Sequence, residues 1–331
     1  MRQMTRQAPN VPGLRLRPYA GESDLAEFAR IENAEAEADR VDRRTTEAEH
    51  RIVFGHTNEH FDPARDVTIA EIDGRVVGTA SREWVETTDD QLEYRLDGAV
   101  DPEFRGRGIG STLLADSERR QRELAATNAS PLPRILGSWS ADTQERDERL
   151  LTAAGFEPAR WFFDMTRRSL DDVPVVPMPD GLELRPVTPD TALQVWRGDV
   201  EAFRDHWGGF DGSDERLAEW LARPYNDLSM WLIAYDGDEV AGGVLNTIDP
   251  DENAALGIRR GWLSSVFTRR PWRRRGLARA LIARSLVLHR ERGMTTASLG
   301  VDAENPSGAL GLYEGVGFQV DYRSTAWRKP F

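Results

Sequence analysis

The segment Val266-Phe267-Thr268-Arg269-Arg270-Pro271-Trp272-Arg273-Arg274-Arg275-Gly276-Leu277-Ala278 runs from an apolar strand through a proline-marked turn into a long helical period. Backbone N–H groups at such a helix start converge on one point and the helix dipole favours negative charge there, so the segment is suited to hold an anion such as a pyrophosphate. Gly276 and Ala278 keep side chains away, which lets a ligand approach the backbone. A dinucleotide fingerprint would need G-x-G-x-x-G and a P-loop a Gly-Lys-Ser/Thr ending, and neither is present. A plain solvated helix start is the competing explanation. It loses ground because the pattern occurs a second time, as Arg105-Gly106-Arg107-Gly108-Ile109-Gly110, in the same strand-turn-helix setting. A second chemical group is Tyr313, in Leu312-Tyr313-Glu314-Gly315-Val316-Gly317-Phe318. With a reference pKa of about 10 it is protonated at neutral pH and can donate to a departing anion. As an ordinary helical tyrosine it would instead be a core or rim aromatic.

The elements that position these groups are also duplicated. Gly13-Leu14-Arg15-Leu16-Arg17-Pro18 is echoed by Gly181-Leu182-Glu183-Leu184-Arg185-Pro186, and the two arginine-glycine loops keep the same offset of 168 residues. Each half carries a hairpin signal, at Asp73-Gly74 and Asp236-Gly237, then the loop, then a helical period (Leu113, Leu114, Leu124; Leu281, Ile282, Leu286, Leu288), and closes on Gly155-Phe156 or Gly317-Phe318. The order read is strand, helices, three strands, helix, strand, helix, strand. This predicts an α/β (α+β) fold of two tandem domains, each with a mixed, mostly antiparallel sheet flanked by helices. Pro174, Pro177 and Pro179 interrupt residues 169–181, so the join is expected near Asp172, dividing the chain into 1–171 and 172–331.

Composition narrows the function classes. At 331 residues two domains are the default, and 39% hydrophobic with 30% charged residues describes a globular chain with no run long enough to span a bilayer. Residues 1–10 have no apolar stretch of the secretory kind, and there is no cysteine, which excludes disulfides, thiolate metal sites and cysteine nucleophiles; a cytoplasmic setting is expected, with no metal. A net charge of −13 repels nucleic acid and anionic lipid; it is read first as serving solubility, and it could also draw in a cationic amine. The five arginines of residues 269–275 are better read as serving phosphate groups of a cofactor than a nucleic acid.

These residues resemble the GNAT superfamily of acyl-CoA N-acyltransferases, whose signature R/Q-x-x-G-x-G/A follows the fourth strand. The resemblance covers nearly the whole chain, half by half, and the tandem arrangement is similar to that of the mycothiol synthase type. It implies that Arg273, Arg274, Arg275, Gly276, Leu277 and Ala278 bind the pyrophosphate of acetyl-CoA. It also implies that the strand before them, Ser265, Val266, Phe267 and Thr268, lines the pantetheine and the acetyl carbonyl. Asn305, followed by Pro306, would contact the pantetheine arm and Tyr313 would sit beside the thioester sulfur. Arg105, Gly106, Arg107, Gly108, Ile109 and Gly110 form the corresponding cofactor-binding loop of the N-terminal half, which is expected either to hold an unreactive acetyl-CoA or to be an empty structural cleft. Counting back from Gly155, that half has Leu151 where the other has Tyr313, and Thr143 where it has Asn305, so it is expected to be non-catalytic.

The implied reaction is transfer of an acetyl group to a primary amine of a small molecule by direct attack in a ternary complex. Backbone donors of the splayed strand would hold the oxyanion and Tyr313 would protonate the departing sulfur. Acetylation of a protein or peptide amine, or acyl-CoA binding without turnover, are the alternatives. No general base is identified. The fourth strand has Ser264, Ser265 and Thr268 where many family members have a carboxylate, which favours a water-mediated route. Glu201, Asp205, His206 and the C-terminal carboxylate of Phe331 are further candidates. Trp207, Phe210, Trp220, Tyr225 and Trp231 are expected to be mostly core, with one or two lining an acceptor pocket. Monomer and homodimer are both compatible with the sequence.

Overall fold

The computed structural model describes residues 11–209, 211–305 and 308–331, so residues 1–10, Phe210, Pro306 and Ser307 lie outside the described residues. The chain divides into two units: residues up to Ala159 together with Thr325–Phe331, and Arg160–Ser324. In the N-terminal unit the elements are β1 (Leu14–Pro18), α1 (Glu22–Ala38), α2 (Glu47–Gly55), α3 (Pro63–Asp66), β2 (Val67–Ile72), β3 (Arg75–Glu86), β4 (Leu92–Val100), α4 (Ile109–Thr127), β5 (Arg134–Ala141), α5 (Glu145–Ala153) and the start of β6 (Glu157–Arg167). The strands follow one another antiparallel from β1 to β4, and β4 then pairs in parallel with β5. The β2–β3 hairpin turns on Asp73 and Gly74, both at positive φ (51° and 80°), the two-residue turn whose twist suits a hairpin. Apolar residues of α1 and α2 cover one face (Leu25, Phe28, Ile31, Phe54 on Val67, Ile69, Val76, Ala99), and those of α4 cover the other.

The C-terminal unit repeats this with β7 (Glu183–Arg185), α6 (Pro189–Ala202), α7 (Asp214–Ala222), β8 (Trp231–Asp236), β9 (Glu239–Thr247), α8 (Pro250–Leu256), β10 (Arg260–Thr268), α9 (Leu277–Glu291), β11 (Thr296–Asp302), α10 (Ala309–Glu314) and β12 (Gln319–Pro330). β7 to β10 are antiparallel in sequence order, and β10 pairs in parallel with β11. Helix α6 starts on a Thr188–Thr191 capping box and buries Ala192, Val195, Trp196 and Ala202 against β8 and β9, while α9 buries Leu281, Ile282 and Leu286 on the opposite face. The expected fold class is the one observed, in both units. No helix among the described residues is long and apolar enough to cross a membrane.

The units do not meet at the expected join. Residues 160–171 belong to the C-terminal unit, because β6 from Phe162 onward pairs antiparallel with β11. The proline-rich segment deprives the chain of a ladder there, as predicted, but it is not a free linker. Leu170 and Leu182 are buried in the α9 core, and the carbonyls of Leu170 and Val176 accept from Arg290 and Arg284 of that helix. Conversely, Thr325–Phe331 completes the N-terminal unit, where the end of β12 neighbours β5. Trp327 is buried and donates to Ser140 Oγ (2.9 Å), Arg328 reaches Glu93 and Asp89, and Lys329 reaches Glu118. The Phe331 ring lies on Tyr94 of the same unit.

Candidate active site

In the C-terminal unit the two parallel strands pair only at their start. Arg260–Trp262 matches Thr296–Ser298, after which residues 263–268 keep β9 as partner and residues 299–302 keep β6, leaving the edges that face each other unpaired. Arg269 N–H bonds Ala241 O on the β9 side, so alternation along the strand turns the Thr268 N–H toward the opening. Thr268 Oγ1 is buried without a hydrogen-bond partner. Such groups are normally satisfied, and an amide-bearing chain lying in the opening would satisfy them.

Strand β10 also carries a bulge. Leu263 pairs with Asn246 and Ser265 with Leu245, so Ser264 is the extra residue. The pleat reverses across it: Leu263 joins the core under α9, whereas Ser265 and Phe267 face α6.

Beyond Thr268 a short 3₁₀ turn (Arg270–Trp272) leads to Gly276, the N-cap of α9, which sits at φ 83° and offers no side-chain cap. The first N–H groups of α9 therefore stay available to an anion. The arginines divide into two sets. Arg273 is turned inward, donating to Thr268 O, Ala202 O and Asp205; Arg270 also pairs with Asp205, and Arg269 with Glu201. These side chains fasten the loop to the end of α6, and Arg270 and Arg273 hold the Asp205 carboxyl well below its usual range. Glu201 and Asp205 are thus structural ion-pair partners. Arg274 and Arg275 are exposed, and Arg274 takes φ 61°. The Phe267 and Leu277 side chains are core, so their backbone is what faces a ligand; Val266 and Ala278 are partly buried.

Tyr313 lies in α10, buried with Leu299 and Val301 of β11 and Leu277 of α9, its ring edge-on to Phe318. Burial alone pushes its hydroxyl above the usual phenol value, so it is a proton donor throughout the neutral range. Asn305 follows β11, and its Nδ2 lies 3.5 Å from His206 Nε2; burial keeps the His206 imidazole below its ordinary value. Trp220 packs at a tilt against the buried Trp196 and Trp231, Tyr225 is held by Arg223, and Trp207 rests on Phe162.

One group escaped the sequence reading. Asp199 is buried on the inner face of α6 and accepts a hydrogen bond from Ser265 Oγ at 2.6 Å; burial lifts its carboxyl to about 7, against the pull of that bond. The signal was present: Asp199 occupies an apolar position of the stripe 192, 195, 196, 199, 202, where a carboxylate is out of place.

The N-terminal unit has the same opening. β4 pairs with β5 only over residues 92–95 and Gly108 caps α4 at φ 90° without a side-chain cap. Its interior differs. Strand β4 runs against β3 in unbroken register, without a bulge. The opening-side N–H of Val100, equivalent to that of Thr268, donates to Glu35 Oε1 (3.0 Å). Arg105 is bound bidentate by Asp39 (2.7 and 2.5 Å) and lies 3.3 Å from Glu35. Asp147 joins Glu35 and Asp39, with carboxylate oxygens all within 4.8 Å of one another. Burial, followed by the Asp147 charge, raises Glu35 to about 8, and burial raises Asp147 to about 6.

Leu151 is confirmed as the counterpart of Tyr313, since Phe156 N–H bonds Leu151 O as Phe318 N–H bonds Tyr313 O. The counterpart of Asn305 moves by one residue to Gln144, because Gln144 N–H bonds Ala141 O as Asn305 N–H bonds Asp302 O. The amide is therefore retained, but Gln144 Oε1 is spent on Ala141 N–H.

The chain matches the Acetyltransferase (GNAT) family over residues 199–318 and the Acetyltransferase (GNAT) domain over residues 63–158. It is 30% identical to a mycothiol acetyltransferase of Geodermatophilus obscurus over 300 residues, covering 88% of this chain and 90% of the relative. A mycothiol acetyltransferase of Salinispora arenicola is 26% identical over 299 residues, covering 89% and 90%. Among solved structures, a GCN5-related N-acetyltransferase from Sphaerobacter thermophilus superposes with a TM-score of 0.71 at 25% identity, covering 96% of each chain. A tandem GNAT protein from the clavulanic acid biosynthesis pathway shares the fold at a TM-score of 0.69 and 17% identity, covering 96% of this chain and 98% of the other. The chain belongs to the GNAT acetyltransferase family, as an acetyl-CoA-dependent acyltransferase with two GNAT domains in tandem.

Proposed function

We propose that the C-terminal unit moves the acetyl group of acetyl-CoA to a primary amine of a small molecule by direct attack in a ternary complex, in a cytoplasmic setting. The observation that carries this is the opening between β10 and β11, with an orphaned Thr268 hydroxyl and an opening-side N–H at the end of β10, followed eight residues on by the uncapped start of α9 at Gly276. Acetyl-CoA supplies the thioester. Main-chain donors at 277–278, with Arg274 and Arg275, hold its pyrophosphate; residues 266–268 bind the pantetheine amides and donate to the acetyl oxygen as charge develops there. Asn305 steadies the pantetheine arm, and Tyr313 gives its proton to the departing sulfur.

A small acceptor is favoured over a peptide by the name of the relatives, mycothiol acetyltransferase, and by the net charge of −13, which draws in cations. The N-terminal unit is proposed to hold no acetyl-CoA: Glu35 occupies the strand edge, and Asp39 neutralises Arg105. Two measurements test this. Turnover of acetyl-CoA should appear with small primary amines, and activity confined to peptides would sink the small-acceptor reading. Calorimetric titration should give one acetyl-CoA per chain; two would overturn the proposal for the N-terminal unit.

A further inference from the structure

Direct attack requires a neutral amine, yet an aliphatic amine reaches the site as an ammonium, so one proton must leave before the N–C bond can form. Strand β10 offers only hydroxyls, at Ser264, Ser265 and Thr268. Of these, Ser264 is bonded to Thr247 (2.8 Å) and Thr268 Oγ1 lacks a partner, while Ser265 alone is joined to a carboxylate. The bulge brings this about. Without it the pleat would not turn Ser265 toward α6 in the stretch where β11 has left the strand.

Asp199 is 4% exposed, and among the described residues its one polar side-chain partner is Ser265. A lone buried carboxyl costs far more than the amide or hydroxyl that could make the same bond, so holding the helix to the strand does not account for it. The charges around it are satisfied elsewhere: Glu201 by Arg269, Asp205 by Arg270 and Arg273, and Arg197 by Asp214. Burial also keeps His206 toward its neutral form. Among the described residues, nothing charged is thus left to fix Asp199 in its ionised state.

We propose that Asp199 is a positioning residue for proton transfer, receiving through the Ser265 hydroxyl the proton that the acceptor amine must lose. This rests on the acetyl-transfer reading above and deepens it. An ammonium N–H proton passes to Ser265 Oγ while the Ser265 O–H proton passes to Asp199 Oδ1, and the nitrogen keeps its electron pair. The N–C bond forms and the C–S bond breaks, with the Tyr313 proton going to sulfur. The second amine proton restores Tyr313, and the proton on Asp199 leaves to water through Ser265. The sum is one amide, one thiol and one released proton.

The experiment uses the full chain, acetyl-CoA and a small primary amine that the wild type turns over. Asp199→Asn keeps the size and the bond from Ser265, and is expected to lower kcat about 100-fold with an unchanged KM for acetyl-CoA and no acidic limb in the kcat–pH profile. Ser265→Ala should do the same, and Ser265→Thr should recover most of the rate. A folded Asp199→Asn protein with the wild-type pH profile overturns the relay. Should that variant not fold, equal rates for Ser265→Ala and Ser265→Thr overturn it. Carbon-13 NMR follows the carboxyl directly: titration near 7 supports the relay, and a group ionised below about pH 5 overturns it whatever the turnover. A wild type inactive with every small amine would instead remove the acetyl-transfer reading, and the relay with it.

Discussion

The two clefts share a backbone and differ in what neighbouring helices place inside them. Their loops match angle for angle, with Gly106 and Arg274 at φ 77° and 61°, Gly108 and Gly276 at 90° and 83°, and Gly155 and Gly317 at 88° and 91°. Yet the strand edge that is open at Thr268 is covered by Glu35 at Val100, and the first arginine of the motif is bound by acids from α1 in one unit and from the end of α6 in the other. A phosphate-binding loop thus shows where an anion could sit, whereas groups two helices away determine whether it is welcome. A bulge of one residue, present in β10 and absent from β4, then decides which helix the strand's hydroxyls address.

Four perturbations act on one cleft and spare the other. Ending the chain at Ser324 removes buried Trp327 from the N-terminal unit and should cost it about 4 kcal/mol or more, seen as an early transition in chemical denaturation; an unchanged curve would refute the tail's role. Tyr313→Phe should lower kcat about 100-fold, near 2.7 kcal/mol, with acetyl-CoA affinity unaltered, whereas Leu151→Phe in the other unit should leave turnover unaffected. Unchanged turnover in the first variant would remove Tyr313 from the mechanism.

Glu35 supplies the third. Its folded-state pKa is raised to about 8, so its share of stability is whole below its unfolded pKa and is lost as pH rises through 8. Glu35→Gln should therefore flatten the fall in Tm between about pH 5 and 8, gaining about 2 kcal/mol at the upper end. A variant whose Tm falls as steeply as that of the wild type would show that Glu35 is ionised throughout. The smallest effect is expected from Arg274→Gly, which copies the N-terminal loop. Relief of the left-handed φ should stabilise by about 1 kcal/mol while acetyl-CoA binding weakens severalfold. Unaltered affinity would place Arg274 outside the phosphate site.

The duplication, the hairpins and the two loops were legible because each depends on local chemistry: Asp73-Gly74 makes its own turn, and Gly276 its own cap. The domain boundary was not, because prolines report where a ladder is interrupted, and only packing reports that Leu170 and Leu182 belong to the α9 core. Counting back from the Gly-Phe pair places Thr143 opposite Asn305, but the intervening segment is one residue longer in the C-terminal half and the hydrogen-bonded turn puts Gln144 there. Arg273 looked like a cofactor ligand from its motif, and its side chain proved to be loop architecture. The acids of the N-terminal cleft come from α1 and α5, far apart in sequence, and no motif links them.

The tail that closes the N-terminal unit has a consequence for synthesis. A ribosome delivers most of that unit first, yet the strand beside β5 follows only after the whole of Arg160–Ser324. Until Thr325–Phe331 emerges, β5 presents an open edge of the kind that recruits other strands, while Arg160–Ser324, with every strand of its own already made, can be completed ahead of it. The half that is translated first is therefore the half that finishes folding last.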